Sequence, residues 1–282
     1  MKHRRTHFHV TTLLALLTVT AAGCAGGMAG SSGGLHIWSA GTSVEYESVA
    51  GQVMIMEIPG QGEMTIGTDF SMDLNVEATA TPRQFNLTIG DVSISSDMTA
   101  MGEDPPDVSF LKDLESTVLL DARGLIIEAS NLEDNPSVEE QGGVAAFKEQ
   151  LQSFFLYSPE GVLGPVVEWT REIEFPLIQM GTELTISSID KYRCIEATTF
   201  GGAPAYKIAM TTEVAMSGSG EQMGAPMDWA LNGSGEGILY VETGTGMLLS
   251  IDVAITMIGG VSAAGFDIPM EMRMTSTVEL KK

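Results

Sequence analysis

The segment Glu63–Ala80, EMTIGTDFSMDLNVEATA, constrains the fold more than any other part of the chain. Met64, Ile66, Phe70, Met72, Leu74, Val76 and Ala78 are apolar, while Thr65, Asp69, Ser71, Asp73, Asn75 and Glu77 between them are polar. Successive strand side chains point to opposite faces, so this pattern describes an antiparallel strand buried on one side only. It is also far longer than the usual strand of about 5–6 residues, and long strands twist and curl. The pattern returns in Tyr206, Ile208, Met210, Thr212, Val214 and Met216, and again in Met247, Leu249, Ile251, Val253, Ile255 and Met257. A last run carries Ile268, Met270, Met272, Met274, Val278 and Leu280 on one side. In the first half Phe85, Leu87 and Ile89 alternate, and the phase then shifts at Gly90–Asp91 before Val92 and Ile94. That shift predicts a β-bulge.

One helix is expected between the two strand-rich regions. Ser137 and Glu140 form a capping box, and Val144, Phe147, Leu151, Phe154 and Phe155 follow helical spacing up to Pro159. Gly142 and Gly143 weaken the first turn, so the stable part starts near Val144. Lys148, Glu149, Gln150 and Gln152 fall on the opposite, outer side. Two segments, Val118–Ser130 and Leu239–Ala254, share the order apolar strand, acid, glycine turn, apolar strand, which reads as a hairpin. The expected fold class is therefore mainly β, a long curled antiparallel sheet (a half-barrel) packed on a central helix. Residues 36–282 form a single domain of two halves, about 36–131 and 181–282, joined by a helical segment 137–157.

The N-terminus predicts an address. Lys2, Arg4 and Arg5 precede a short apolar run, Val10–Ala22, too short to remain as a membrane span. Residues 1–23 read as a signal peptide. The sequence AAGC that ends in Cys24 resembles a bacterial lipobox, and this resemblance implies lipidation of Cys24 after cleavage. A small-residue linker, 24–35, follows. Ala25 after the cysteine implies the outer membrane, facing the periplasm. With Cys24 lipidated, Cys194 has no intramolecular disulfide partner and is expected to be buried. Removal of residues 1–23 leaves 11 basic against 37 acidic residues, a net charge of −26. Such a surface repels nucleic acid and excludes it as a partner.

Little in the sequence supports catalysis. His3, His7 and His9 leave with the signal peptide, and His36 at the end of the linker is expected to be solvated. That removes histidine-based triads and histidine metal sites. Glu139–Glu140 and Glu172–Glu174 are the nearest carboxylate pairs, but solvated strand faces account for them. Met270, Met272 and Met274 would suit Cu(I) as thioethers. They share their face with Ile268, Val278 and Leu280, which makes them core positions, with methionine filling irregular gaps. The glycine-rich DARG, NGSGEG and ETGTGM lie between strands and lead into no helix, so they are turns and not phosphate loops. No metal and no cofactor is expected, and the chain is not read as an enzyme.

A lipid anchor, long one-sided strands and a covering helix together resemble the incomplete β-barrel of lipoprotein carriers of the LolA, LolB and LppX type. The local match is the unit Leu120, Asp121, Gly124, Leu125, repeated as Val241, Glu242, Gly246, Met247. The pattern is also similar to that of bacterial lipoprotein families built of two β-rich halves. The resemblance implies a concave apolar face that holds a hydrophobic ligand such as a lipid or acyl chain. Met64, Ile66, Phe70, Met72 and Leu74, with Met270, Met272 and Met274, are the expected lining. The other reading is a non-catalytic structural or interaction lipoprotein whose core is filled, with a protein partner on its polar faces or on an exposed edge.

Overall fold

In the computed structural model the described residues are 35–36, 38–60, 62–97, 107–132, 138, 144–158, 163–179, 182–222, 225–263 and 265–281. The signal peptide, Cys24 and the capping box at Ser137 and Glu140 lie outside them.

The strands are β1 (Ser43–Ile58), β2 (Gly62–Ala78), β3 (Gln84–Ser96), β4 (Glu115–Leu120) and β5 (Ile126–Ala129). After the helix α1 (Val144–Gln152) come β6 (Glu168–Gln179), β7 (Thr182–Phe200) and β8 (Ala203–Gln222). The chain then continues as β9 (Ala225–Glu242), β10 (Leu248–Ala263) and β11 (Phe266–Leu280). They form one open sheet of 11 strands in the order β5-β4-β3-β2-β1-β11-β10-β9-β8-β7-β6. Two antiparallel meanders thus meet where the first strand pairs the last, from Tyr46 opposite Leu280 to Met56 opposite Met270. The long strands expected from the alternation are present. The bulge is present too, because Asp73 lies between the pairs Met72–Val92 and Leu74–Ile89 and so faces two residues of β3.

One face of the sheet carries the core. Along β2 every even-numbered residue from Ile66 to Ala78 is buried, and the odd-numbered acids point outward. β10 comes unusually close to β9. Gly233, Gly235 and Gly237 occupy three successive inward positions between the buried Leu231 and Leu239. A Cβ added to Gly235 would sit 2.5 Å from the carbonyl oxygen of Ala254 and 2.5 Å from Ile255 Cγ1. No side chain fits where β10 leans this far over its neighbour, and glycine is the residue for such a close backbone approach.

The helix is shorter than its sequence pattern suggests. The chain leaves it after Gln152 in tighter turns, with Ser153, Phe154 and Phe155 N–H bonding to the carbonyls of Gln150, Leu151 and Gln152. Phe154 and Phe155 therefore extend the covering segment in a non-helical form, and Phe155 makes an isolated bridge to Met247. α1 packs against both β5 and β6, the two edges of the sheet. Gln150 and Gln152 are buried and not on an outer side: Gln152 Oε1 accepts from Ile126 N–H at 2.7 Å and its amide donates to the carbonyls of Gly124 and Phe155. The side chain replaces a neighbouring strand at the β5 edge and keeps it from pairing elsewhere.

Candidate functional site

The inward face has two chemically different ends. At the end formed by the turns after β2, β4, β7 and β9, the filling is aromatic. Trp38 meets Phe85 edge-on with centroids 4.9 Å apart, and Phe85 meets Phe155 at 5.2 Å. Tyr46 lies 5.6 Å from Phe154, and its hydroxyl donates to the Leu248 carbonyl at 3.1 Å. Such pairs add about 0.5–1.5 kcal/mol each beyond area burial. The glycine turns of the two hairpins belong to this end. Asp121 Oδ1 accepts from the N–H groups of Arg123 and Leu125 to close the first. Gly124 and Gly246 hold φ of 88° and 73°, as expected for left-handed turn positions.

The expectation that His36 is solvated fails here. Its backbone N–H bonds to the Thr245 carbonyl, and its imidazole is buried against Gly124 with Nε2–H donating to the Leu156 carbonyl at 2.7 Å. Burial holds the ring's pKa down to about 4. Leu35 and His36 therefore dock between the two hairpin turns. A lone histidine after a glycine-rich stretch gives no pattern from which this could be read.

At the other end the filling is methionine. Met64, Met56 and Met270 stand side by side across β2, β1 and β11. One step inward, Ile66, Met54, Met272 and Met257 form a second row that reaches β10. Met274 pairs with Gln52 and Ile255. Of the expected lining, Phe70, Met72 and Leu74 continue the same face toward the aromatic end. The structure thus brings Met64, Ile66, Phe70, Met72, Leu74, Met270, Met272 and Met274 onto one apolar wall. All but Met64 are 5% exposed or less.

A polar cluster interrupts the wall on β6–β8 and has no counterpart in the sequence reading. Asp190 is fully buried and accepts from Thr212 Oγ1 at 2.7 Å and from Tyr192 Oη at 3.1 Å. Arg171 is its cross-strand neighbour and donates to Glu149 of α1 at 2.7 Å. Burial raises the Asp190 carboxyl above its ordinary value, against the lowering pull of Thr212, Tyr192 and Arg171. Tyr192 stacks on Trp169 at 5.1 Å. The indole N–H groups of Trp169 and Trp229 are buried without an acceptor among the described residues. Cys194 is buried as expected, and its burial lifts the thiol to about 11, which makes it unreactive. No group of three or more metal-ligating side chains occurs among the described residues.

No family model matches the chain, and no curated relative matches it. Among solved structures it is similar to the chain titled "Lipid-protein interactions in lipovitellin", at 11% identity and a TM-score of 0.47 over 86% of its length. It spans 25% of the length of that lipovitellin chain. DynF from the dynemicin pathway of Micromonospora chersina matches at 8% identity and a TM-score of 0.22, covering 90% of this chain and 88% of its own. OccAB4 of Acinetobacter baumannii matches at 10% identity and a TM-score of 0.17, covering 86% and 99%.

Proposed function

We propose that the chain is a lipid-anchored protein of the bacterial cell envelope, held through Cys24 at the outer membrane and facing the periplasm. Its concave wall binds a hydrophobic ligand, a lipid or acyl chain, with no catalytic step. The observation that carries this reading is the continuous methionine and aliphatic wall across β2, β1, β11 and β10. Methionine has three rotatable bonds and a polarisable sulfur, so such a wall reshapes around a flexible chain at low cost. Each buried ligand methylene contributes about 0.8 kcal/mol. The chain would enter between the methionines, and the indole N–H of Trp229, at the same end of the sheet, offers a donor to polar atoms of the ligand.

A second reading is a structural or interaction lipoprotein with a filled core. It is favoured by the absence of exposure at Leu74 and Met272, which already have neighbours on every side. Native mass spectrometry of the purified protein, with organic extraction and uptake of a fluorescent fatty acid, separates the two. Bound lipid, or saturable uptake, supports the carrier. Bare protein mass with no uptake leaves the filled core.

A further inference from the structure

Native proteins leave few buried polar atoms without a hydrogen bond, and each exception calls for a partner such as an ion or a ligand. Among the described residues, three such side-chain atoms fall together at the aromatic end: His36 Nδ1, Trp38 Nε1 and Arg83 Nε. Trp38 meets Phe85 edge-on at 4.9 Å, and Arg83 stands two residues before Phe85. The Arg83 carbonyl accepts from Leu120 N–H at 2.9 Å, at the start of the turn that Asp121 closes. His36 packs on Gly124 of that same turn, and the Arg83 charge is close enough to lower its pKa. His36 and Arg83 both hold left-handed backbone, with φ of 63° and 61°. Residues with a Cβ adopt that conformation at a cost, and functional sites are where it concentrates.

The three atoms are chemically complementary. Acids outnumber bases 37 to 14 in this chain, yet the Arg83 guanidinium has no ion pair and no hydrogen-bond acceptor among the described residues. Lys112, Lys191, Arg273 and Lys281, by contrast, each hold an acid. Asp121, whose charge His36 also feels, is engaged by the N–H groups of Arg123 and Leu125. Trp38 is 7% exposed and adds a neutral donor. His36 gives its Nε2–H to Leu156, which leaves Nδ1 as an acceptor. Two donors, one of them cationic, and one acceptor suit an oxyanion that keeps a proton. Arg83 is half-buried and follows the exposed Thr81 and Pro82, so the group is reached from solvent.

We propose that Arg83, Trp38 and His36 form a binding site for a phosphate group. Arg83 supplies the charge, the Trp38 indole a second donor, and His36 Nδ1 accepts from a P–OH or a neighbouring hydroxyl. Bonds from arginine to phosphate are charge-assisted and among the strong ones. An ordered water would satisfy Trp38 but leave the guanidinium without a counter-ion. The site uses none of the methionine wall. In the lipid-anchored reading, residues 24–35 tie this end to a bilayer within about 40 Å, where lipid headgroups carry the phosphate.

The indole N–H resonance of Trp38 in the 15N-labelled full chain, assigned with Trp38→Phe, reads the site. The measurement is made at about pH 6, where phosphate keeps a proton and His36, its pKa held down to about 4, does not take one. Inorganic phosphate is expected to shift this resonance saturably and to leave those of Trp169 and Trp229 in place. Arg83→Gln, checked for folding by circular dichroism, abolishes the shift, and Lys207→Gln, which removes the same charge elsewhere, keeps it. Sulfate has no proton to give Nδ1 and is expected to bind about tenfold more weakly. A shift with dihexanoyl phosphatidylglycerol and not with inorganic phosphate supports the site with a lipid headgroup as the source. No shift with either, or an equal shift in Arg83→Gln, leaves ordered water as the partner of these atoms and overturns the proposal. Sulfate binding as tightly as phosphate overturns the place of His36 in the site. A shift of Trp229 instead of Trp38 with the phosphatidylglycerol overturns the phosphate site and supports the methionine wall. A shift of Trp38 without fatty-acid uptake sinks the wall alone.

Discussion

The aromatic end and the methionine end of the same inward face use different physics. At the aromatic end, rings with few rotamers lock against one another and against backbone carbonyls, and His36 is held against the turns. At the methionine end, side chains of comparable volume have more rotamers and make no polar anchor. The difference teaches that burial alone does not define a core. Both ends are largely buried, but only one is built to hold a single arrangement. A binding wall belongs at the end that tolerates rearrangement, and the rigid end supplies the stability that the other gives up.

The sharpest way to break the comparison is to remove a ring. Phe155 is 1% exposed, packs on Phe85 and bridges to Met247. Phe155→Ala is expected to cost about 3–5 kcal/mol of stability, measured by urea unfolding, since large-to-small changes of aromatic core residues fall in that range. A loss below about 1.5 kcal/mol would place this end in the same adaptable class as the methionines. Acid gives the next largest effect. His36 is neutral when folded, with its pKa held down to about 4 from 6.5, so the unfolded chain takes up the proton first as pH falls. Stability from this group is therefore complete above pH 6.5 and is lost progressively down to about pH 4. The loss is on the order of 3 kcal/mol, since each tenfold difference in proton affinity between folded and unfolded chain is worth about 1.4 kcal/mol. His36→Gln should flatten the stability profile between those two pH values. An unchanged profile would show that the imidazole does not stay buried.

How much of the fold is legible in the sequence depends on whether a residue obeys the period of its element. The long strands, the bulge at Gly90–Asp91 and the two hairpin turns obey it, and their alternation and glycines announce them. β6 does not, because its inward positions include Arg171 and its run includes Pro176, which together hide the alternation of Trp169, Ile173, Phe175 and Leu177. Asp190 is hidden for the same reason: an acid within a strand reads as an outward residue, and its cross-strand Thr212 and Arg171 with its neighbour Tyr192 make an inward place tolerable. Gln152 and His36 owe their burial to backbone groups distant in sequence, Ile126 and Leu156, which no local pattern encodes. The edge-to-edge position of α1 is likewise a tertiary fact. Its amphipathic stripe says that it covers a greasy surface and not which two strands it joins.

The smallest effect on stability is the most informative about function. Met54 and Met272 are cross-strand partners in the middle of the methionine rows, and Met257 completes the set on β10. Replacing all three by Leu conserves volume, so each change is expected to cost less than about 1.5 kcal/mol. What Leu removes is the extra rotatable bond and the polarisable sulfur, the properties by which the wall would adapt to a guest. The triple variant should therefore unfold close to the wild type while its uptake of a fluorescent fatty acid weakens or slows. The same triple exchange carries a second consequence for a filled core, where better-defined rotamers at these sites would leave stability level or improve it with no uptake to lose. Equal uptake in both proteins would show that adaptability at these three positions is not what admits the ligand, and would move the search for the binding wall toward Trp169, Tyr192 and Asp190.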